Sequence, residues 1–401
     1  MNNTTASSII KNQISNNIFR REELDDQSST YYIKQRIKND KIKEPLEKLK
    51  SQIIPLEHEL FKCLNLIPGE DIISEDMPLI GDDHNNYYLH LFRTAKPDPN
   101  KENFFFIHGF LSSGLHFLCL IPYLIKRYNI FIPDTIGMGL SARPQKKFFS
   151  AVDCENYFIN IYHITIKNIF FKGRFNIKQE YYLCGHSLGG FFASRYMLKY
   201  PQGIKKVLLL SPAGITDYRI PGTTMNRDIG CGLYCASVFC TTLVWPCNLR
   251  VQNLYRCCCF HNVIKKNYQN YSFTIDQNEI KKNPDGSDFK VDEEKIGTIL
   301  GKLAILSLEY PNDLYDCAFK LFGIPPPAAY LPIENFLMEY NKIETIIVFG
   351  EKDWMDKKGA YRLCRHNPNL YKIYTVRNAG HSFAMENPKE LCDIIGQHFQ
   401  E

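Results

Sequence analysis

The chain has 401 residues, of which 44% are hydrophobic, and it carries a formal net charge of +5. A chain of this length holds one large α/β domain with additions or two domains, and its apolar content suffices for a sizeable core. The modest positive charge is not gathered into one basic block, which argues against a nucleic-acid partner.

The ends of the sequence and its cysteines bear on the compartment. The first residues, MNNTTASSIIKNQ, lack an apolar stretch, so we expect no secretory signal peptide. No glycine follows Met1, and the final residues, QHFQE, contain no prenylation box. Without a secretory signal, 14 cysteines indicate reduced thiols rather than a disulfide framework. The sequence therefore predicts a cytoplasmic protein, either free or peripheral to a membrane.

The N-terminal part changes character near residue 45. Residues 1–44 are polar and charged, and we predict that they form a disordered extension. The stretch that follows, PLEKLKSQIIPLEHELFKCLNLIP, has apolar residues at three- and four-residue spacing and is interrupted by Pro55. This pattern predicts a helix, a break and a second helix. The next stretch, NNYYLHLFRTA, has the composition of a strand.

A regular alternation of strands and helices follows. NFFFIHG and NIFIPD are predicted as buried strands, and EYYLCGHS and KKVLLLSPAG as two further strands. After a long interruption the alternation resumes with ETIIVFGEKD and YKIYTVRNAGH. Amphipathic stretches lie between and after them. Continuous apolar strands separated by helices predict an α/β fold with a mostly parallel central sheet and helices on both faces. The interruption predicts an inserted helical cap, so the core divides into 45–214 and 343–401 around a cap over 215–342.

Ser187 lies in the pattern G-x-S-x-G, in the sequence CGHSLGG. A serine hydroxyl is a weak nucleophile until a base removes its proton. The pattern also arises by chance, but here it falls between an apolar strand and an amphipathic helix, as a nucleophilic serine turn requires. The small residues Gly185 and Gly189 relieve crowding around Ser187. We predict that Ser187 is a catalytic nucleophile.

Four further residues fall where acyl-transfer chemistry needs them. The amides of Leu188, after the serine, and of Phe110, in FFFIHGF, are the expected oxyanion donors. Asp353 follows the strand in VFGEKDW, and His381 follows the next one in NAGHSF. The chain order serine, aspartate, histidine is that of α/β-hydrolases, with His381 as base and Asp353 orienting it.

Other acidic residues are weaker candidates for the acid. Asp356 is the nearest rival of Asp353, and Glu351 is a weaker one. Asp134 also ends a strand but precedes the serine, so we expect it to anchor the loop PDTIGMGLSARP.

These motifs resemble the α/β-hydrolase superfamily in both parts of the core. The resemblance is carried by IHGFLSSG, PDTIGMGLSARP, YYLCGHSLGG, LLLSPAG, FGEKDWMDKKGA and NAGHSFAMENP. More narrowly, PLEHELFKCLNLIP and DWM followed by GA resemble one branch. That branch contains the vertebrate lipolysis co-activator, its N-acyl-phosphatidylethanolamine lipase relative, and plant homologues described as lysophosphatidate acyltransferases and phospholipases. The resemblance implies lipid substrates and a peripheral membrane or lipid-droplet location.

The same resemblance raises two alternatives to hydrolysis. The co-activator lineage has lost its serine nucleophile, whereas this chain retains Ser187, which argues against an inactive lipid-droplet scaffold. The branch also carries a proposed acyltransferase motif, a histidine followed five positions later by aspartate. Here His381 is followed by Glu386, so we favour His381 as a hydrolase base, with Glu386 beginning the next helix.

The cap contains an uncharged stretch, Ile229 to Leu249, with the sequence IGCGLYCASVFCTTLVWPCNL. Its length suits a membrane span. A single crossing would place strands of one sheet on opposite sides of a membrane, so we exclude it. A wall for an acyl chain, an ordinary cap core and a membrane-dipping face remain open.

The cap is also rich in cysteine. The residues that suggest a metal cluster are Cys231, Cys235, Cys240, Cys247, Cys257, Cys258, Cys259 and His261. Paired C-x-x-C elements are missing from this set, so we predict no metal site. Basic residues flank Cys257–Cys259, which favours S-acylation on a peripheral surface. The later stretch GIPPPAAYLP predicts a stiff return to the core.

The sequence as a whole predicts a serine-dependent acyl-ester hydrolase, similar to lipases and phospholipases, acting on glycerolipids or phospholipids. The alternatives are a lysophosphatidate acyltransferase using acyl-CoA, a soluble small-ester hydrolase, and a lipid-droplet scaffold. No metal or nucleotide cofactor is expected, and acyl-CoA would enter only as a co-substrate of the transferase.

Overall fold

A computed structural model describes residues 40–79, 87–144, 146–220, 275–276, 280–283, 285–309, 317–322, 328–340 and 342–399. A sheet of eight strands runs through this part of the chain. The strands are β1 (Ile72–Pro78), β2 (Tyr88–Thr94), β3 (Glu102–Ile107), β4 (Tyr128–Pro133), β5 (Tyr181–His186), β6 (Ile204–Leu210), β7 (Thr345–Gly350) and β8 (Tyr371–Val376). Their order is β1-β2-β4-β3-β5-β6-β7-β8. Strand β2 is antiparallel to β1 and to β4, and the remaining neighbours are parallel.

Helices cover both faces of this sheet. The α-helices are α1 (Asp40–Cys63), α2 (Ile121–Leu124), α3 (Ala151–Ile166), α4 (Leu188–Lys199), α5 (Glu293–Glu309), α6 (Cys317–Leu321), α7 (Ile333–Glu339), α8 (Lys358–His366), α9 (Phe383–Glu386) and α10 (Pro388–His398). A 3-10 helix, Gly114–Leu120, leads into α2, and a π-helical turn, Lys167–Phe171, continues α3.

The core lies in two layers because side chains alternate between the faces of each strand. In β3 every residue is buried. Phe105 and Ile107 pack into one layer with α3, α4, α6, α7 and α8. Phe104 and Phe106 pack into the other with α1, the 3-10 helix, α5, α9 and α10. The predicted mostly parallel sheet with helices on both faces is confirmed.

The predicted break at Pro55 is wrong, because α1 runs through it without interruption. A proline inside a helix costs about 3 kcal/mol. Leu49 and Ile53 before it, and Leu60 and Phe61 after it, are almost completely buried. Each such side chain contributes about 1.5–3 kcal/mol on burial. Their packing therefore outweighs the cost of the proline.

Two boundaries in the N-terminal part differ from the prediction. Helix α1 begins at Asp40, inside the predicted extension, where the residues DKIKE are mostly good helix formers. Strand β1, with the sequence IISEDMP, was not predicted. It is an edge strand in which Ile72 and Met77 are buried while the residues between them are partly exposed. A strand with so few buried positions gives little apolar pattern in the sequence.

The chain between β6 and β7 is an insertion into one sheet, since the two strands pair directly, with Val207 opposite Thr345. Helix α5, assigned above to the cap, packs on α1, where Lys295 forms an ion pair with Glu59 at 3.0 Å. The stretch Ile229 to Leu249 and the cysteines Cys257–Cys259 lie outside the described residues. Within the described ranges, no helix is long and apolar enough to cross a membrane.

Candidate active site

Ser187 lies at the sharp turn between β5 and α4. Its backbone has φ +54° and ψ −117°, a conformation that a residue with a side chain seldom adopts. A Cβ on Gly185 would come within 2.3 Å of the carbonyl oxygen of Gly189. A Cβ on Gly189 would come within 2.1 Å of the carbonyl oxygen of Ile107. Both positions therefore require glycine, as the sequence pattern predicts.

Backbone hydrogen bonds hold this strained turn in place. The amide of Ser187 donates to the carbonyl of Leu210 at 2.9 Å. The carbonyl of Ser187 accepts from the amides of Gly190 and Ala213, both at 3.0 Å. Because Leu188 is the first residue of α4, its amide has no acceptor within the helix. The turn thus presents a backbone donor and the positive end of a helix dipole beside the hydroxyl.

The structure brings His381 and Asp353 together. His381 Nδ1 lies 3.0 Å from Asp353 Oδ1, which also accepts the amide of Met355 at 3.0 Å. Asp353 Oδ2 accepts a hydrogen bond from the hydroxyl of Ser211. Burial would raise the pKa of Asp353, but the hydrogen bonds from His381, Ser211 and Met355 lower the pKa below its usual value. A carboxylate only accepts hydrogen bonds, so Nδ1 of His381 carries the proton and Nε2 is left as a base.

The rival acids have other partners. Asp356 Oδ1 accepts the amide of Lys358 at 2.8 Å, and Glu351 Oε2 accepts the amide of Asn378 at 2.8 Å. Among the hydrogen bonds of the described residues, neither carboxylate joins His381. The geometry thus favours Asp353 over both rivals.

Asp134 holds the loop after β4, as predicted. Its two carboxylate oxygens accept the amides of Gly114 at 2.6 Å and Leu140 at 2.8 Å. The hydroxyl of Ser141 donates to its backbone carbonyl at 2.6 Å. Asp134 therefore ties this loop to the start of the 3-10 helix.

The turn after β3, which carries Phe110, packs against the serine turn. His108 is buried, its Nε2 accepts the amide of Thr135 at 2.8 Å, and its Nδ1 donates to the carbonyl of Gly109 at 2.8 Å. Burial lowers the pKa of His108 to about 4, so the ring is neutral near pH 7. A Cβ on Gly109 would lie only 3.1 Å from that of Ser187. The backbone leading to Phe110 is therefore next to the nucleophile candidate.

Glu386 ends α9, whereas the sequence predicted that it begins the next helix. Helix α10 starts at Pro388 instead, with Asn387 as its N-cap accepting the amide of Glu390. The carboxylate of Glu386 accepts the amide of Gly380 at 2.6 Å. Glu386 therefore anchors the loop that carries His381.

Sequence reasoning missed three residues around His381. Ser211, at the end of β6, bonds Asp353. The ring of Trp354 lies 5.1 Å from the imidazole of His381, and the ring of His186 lies 4.7 Å from it. A polar residue at the end of the strand between those of the serine and the acid was the one available signal, and it applies to Ser211.

Ser187 and His381 are connected through His186, which directly precedes the serine and contacts His381. His186 Nε2 lies 2.8 Å from the backbone carbonyl oxygen of His381. In the described structure no hydrogen bond joins the Ser187 hydroxyl to His381. Catalytic hydrogen bonds often tighten only when substrate binds. The arrangement is therefore a serine turn with a polarised imidazole next to it.

Comparison with known proteins agrees with this description. The family model for the α/β hydrolase fold matches residues 102–231. A probable 1-acylglycerol-3-phosphate O-acyltransferase of Oryza sativa subsp. japonica is 22% identical, over 75% of this chain and 68% of that protein. The 1-acylglycerol-3-phosphate O-acyltransferase ABHD5 of Homo sapiens is 24% identical, over 74% of this chain and 79% of that protein. The predicted resemblance to this branch is confirmed.

Solved structures with the same fold include esterases and a phospholipase. Carboxylesterase CesB from Bacillus subtilis has a TM-score of 0.55 at 13% identity, covering 88% of this chain and 98% of its own. A membrane phospholipase A described as a bacterial virulence factor has a TM-score of 0.55 at 14% identity, covering 87% of this chain and 90% of its own. The chain therefore has the α/β-hydrolase fold.

Proposed function

We propose that the chain is a serine-dependent acyl-ester hydrolase acting on glycerolipids or phospholipids. The observation that carries the proposal is the hydrogen-bonded pair of His381 and Asp353 beside the strained turn at Ser187. A weak hydroxyl nucleophile needs a base, and that base needs a group that orients it and stabilises its protonated form. The proposal is supported by the positions of Ser187, Asp353 and His381, which follow the carboxyl ends of the parallel strands β5, β7 and β8.

The proposed reaction proceeds through an acyl-enzyme. Ser187 Oγ attacks the ester carbonyl while His381 Nε2 takes its proton. The amides of Phe110 and Leu188 hold the negative oxygen of the tetrahedral intermediate, where one such donor contributes about 3 kcal/mol. His381 then gives the proton to the departing alcohol. Water, deprotonated by His381, attacks the acyl-serine. The bond between the acyl group and Ser187 Oγ then breaks, His381 returns the proton to Ser187 Oγ, and the fatty acid is released.

The lipid substrate class is supported by the resemblance to acyltransferases of glycerolipid metabolism and by the shared fold with a membrane phospholipase A. The chemistry uses no metal or nucleotide cofactor. A location at a membrane or lipid-droplet surface follows as part of the same proposal.

Acyl transfer is the second candidate function, since the named relatives are acyltransferases. In that reaction a lysophosphatidate hydroxyl replaces water, and acyl-CoA is the donor. The position of the acyltransferase aspartate holds Glu386, whose carboxylate is bonded to the amide of Gly380. That contact supports a role in loop anchoring, so we favour hydrolysis.

The test is a product analysis with the full chain. Purified wild type and Ser187→Ala are incubated with labelled phospholipid, with and without lysophosphatidate and acyl-CoA. Ser51→Ala, at an exposed position of helix α1, is the matched control and should behave as wild type. Free fatty acid released by wild type and lost in Ser187→Ala is the expected result.

Other outcomes identify the alternatives. Serine-dependent acyl transfer to the lysolipid would make the protein a transferase. Serine-dependent cleavage of short esters alone would indicate a small-ester hydrolase. If wild type and Ser187→Ala release the same amount of product from every ester, the proposed serine-dependent activity is rejected and a scaffold role is favoured.

A further inference from the structure

Two buried histidines lie under the imidazole of His381. His186 Nε2 is 2.8 Å from the backbone carbonyl oxygen of His381. A carbonyl oxygen can only accept, so His186 carries its proton on Nε2 and donates it. Beyond His186, the ring of His116 from the 3-10 helix stacks at 4.1 Å with an interplanar angle of 22°. The three rings form a continuous column from the 3-10 helix to the site.

The rings of His116 and His186 are both neutral near pH 7. His116 and His186 are only 6% and 4% exposed. Burial lowers the pKa of His116 to about 3 and that of His186 well below its usual value. A neutral column adds no positive charge beside His381, which itself becomes a cation when it takes the proton of Ser187.

We infer that His186 is a positioning residue for His381, and this inference rests on the proposed role of His381 as base. The loop carrying His381 is held at two consecutive points. Glu386 accepts the amide of Gly380, and His186 donates to the carbonyl of His381. These contacts fix the backbone from which the imidazole projects. Because His186 directly precedes Ser187, one contact sets the base relative to the nucleophile.

A packing role for His186 makes different predictions from a positioning role. His186→Phe keeps a flat ring against His116 but removes the donor. His186→Gln loses the ring but retains an N–H group at about the reach of Nε2. If His186 only packs, His186→Phe should behave as wild type. If His186 positions His381 through its hydrogen bond, His186→Gln should behave as wild type and His186→Phe should not.

The test combines kinetics with a spectroscopic signature. The far-downfield proton resonance of an imidazole Nδ1–H bonded to a carboxylate reports on the contact between His381 and Asp353. It is assigned by its loss in His381→Gln. In His186→Phe we expect this resonance to broaden and kcat to fall about 10²-fold, with KM nearly unchanged, since a misplacement of about 1 Å costs this much. In His186→Gln we expect both the resonance and kcat to be close to their wild-type values.

The matched control is His163→Phe, which replaces another stacked histidine, 3.7 Å from the ring of Tyr200 and away from the site. It should match wild type. A folded His186→Phe with the wild-type resonance and kcat would overturn the inference. If that variant does not fold, His186→Gln decides, because a folded glutamine variant without the resonance would also overturn it. The resonance needs no substrate, so failure of the proposed function is seen separately in Ser187→Ala.

Discussion

A carboxylate removed from water is stable when hydrogen-bond donors replace the solvent, and this condition is met at Asp353. Its donors are His381, the hydroxyl of Ser211 and the amide of Met355. They come from three places in the chain, and only one adjoins Asp353 in sequence. Sequence reasoning therefore named Asp353 and His381 from their strand ends but did not foresee Ser211.

Replacing Asp353 by asparagine tests its role at the scale of the residue. Asparagine keeps the shape but presents no negative charge and favours the wrong tautomer of His381. We expect kcat to fall by about 10⁴, measured as fatty acid release. Asp356→Asn is the matched control, because Asp356 accepts the amide of Lys358 and, among the hydrogen bonds of the described residues, does not contact His381. Equal losses in the two variants would contradict the assignment of Asp353.

At the scale of the element, the sequence foretold strands better than their surroundings. The buried strands β3 to β7 give apolar runs that identify them, and the edge strand β8 is recognisable from its β-branched and aromatic residues, whereas the edge strand β1 gives neither signal. Pro55 signals a break, yet packing on both sides of it keeps α1 continuous. The role of Glu386 depends on the fold of a loop, which no local pattern specifies. Contacts between distant segments, such as that between His186 and the carbonyl of His381, follow from strand order and not from spacing.

Helix α1 is joined to the sheet by a charged cluster around the buried side chain of His90. His90 on β2 contacts Asp76 at 3.1 Å and Glu57 on α1 at 3.3 Å. Lys50 on α1 lies 2.6 Å from the other oxygen of Asp76, and buried Asp134 also faces His90. Burial alone would lower the pKa of His90, but the hydrogen bonds to Asp76 and Glu57 raise the pKa to about 10.

The stability of this cluster should depend on pH. Because the pKa of His90 is raised on folding, its contribution is complete below the unfolded value of about 6.5 and is lost as the pH rises through about 10. We expect His90→Gln to lower the free energy of unfolding by roughly 3 kcal/mol near pH 6, since it leaves a buried carboxylate unpaired. Denaturant titrations at pH 6, 8 and 9.5 should show the difference shrinking. A difference that stays constant with pH would contradict a charged His90.

At the scale of the whole molecule, the candidate catalytic residues lie at the carboxyl end of the parallel strands. The turn with Phe110 follows β3, Ser187 follows β5, Asp353 follows β7 and His381 follows β8. The loop between β4 and α3 begins at the same end of the sheet, and its Phe149 is 90% exposed. Under the proposed function, this exposed phenylalanine is a candidate for contact with a lipid surface.

Vesicle binding tests this arrangement. Beside Phe149, Lys147 is also exposed, so the loop suits an anionic membrane surface. Burying a phenylalanine contributes about 1.5–3 kcal/mol, so Phe149→Ser should weaken binding to phosphatidylserine-containing vesicles about tenfold. Ile67→Ser is the control. Ile67 is 44% exposed and lies beside the start of β1, at the end of the sheet opposite to the candidate catalytic residues. If both variants co-sediment with vesicles like wild type, the loop that carries Phe149 does not contact the lipid.

The parallel order of the strands also fixes when the site can form during synthesis. The ribosome makes Ser187 and its strained turn well before β7 and β8, which carry Asp353 and His381. A nascent chain that has only reached β6 contains Ser187 but neither Asp353 nor His381, so the proposed site is incomplete at that point. Helix α1 is made before α5, so it gains this packing partner only after α5 has been synthesised. The proposed site therefore becomes complete only after β8 and the loop that carries His381 have been made.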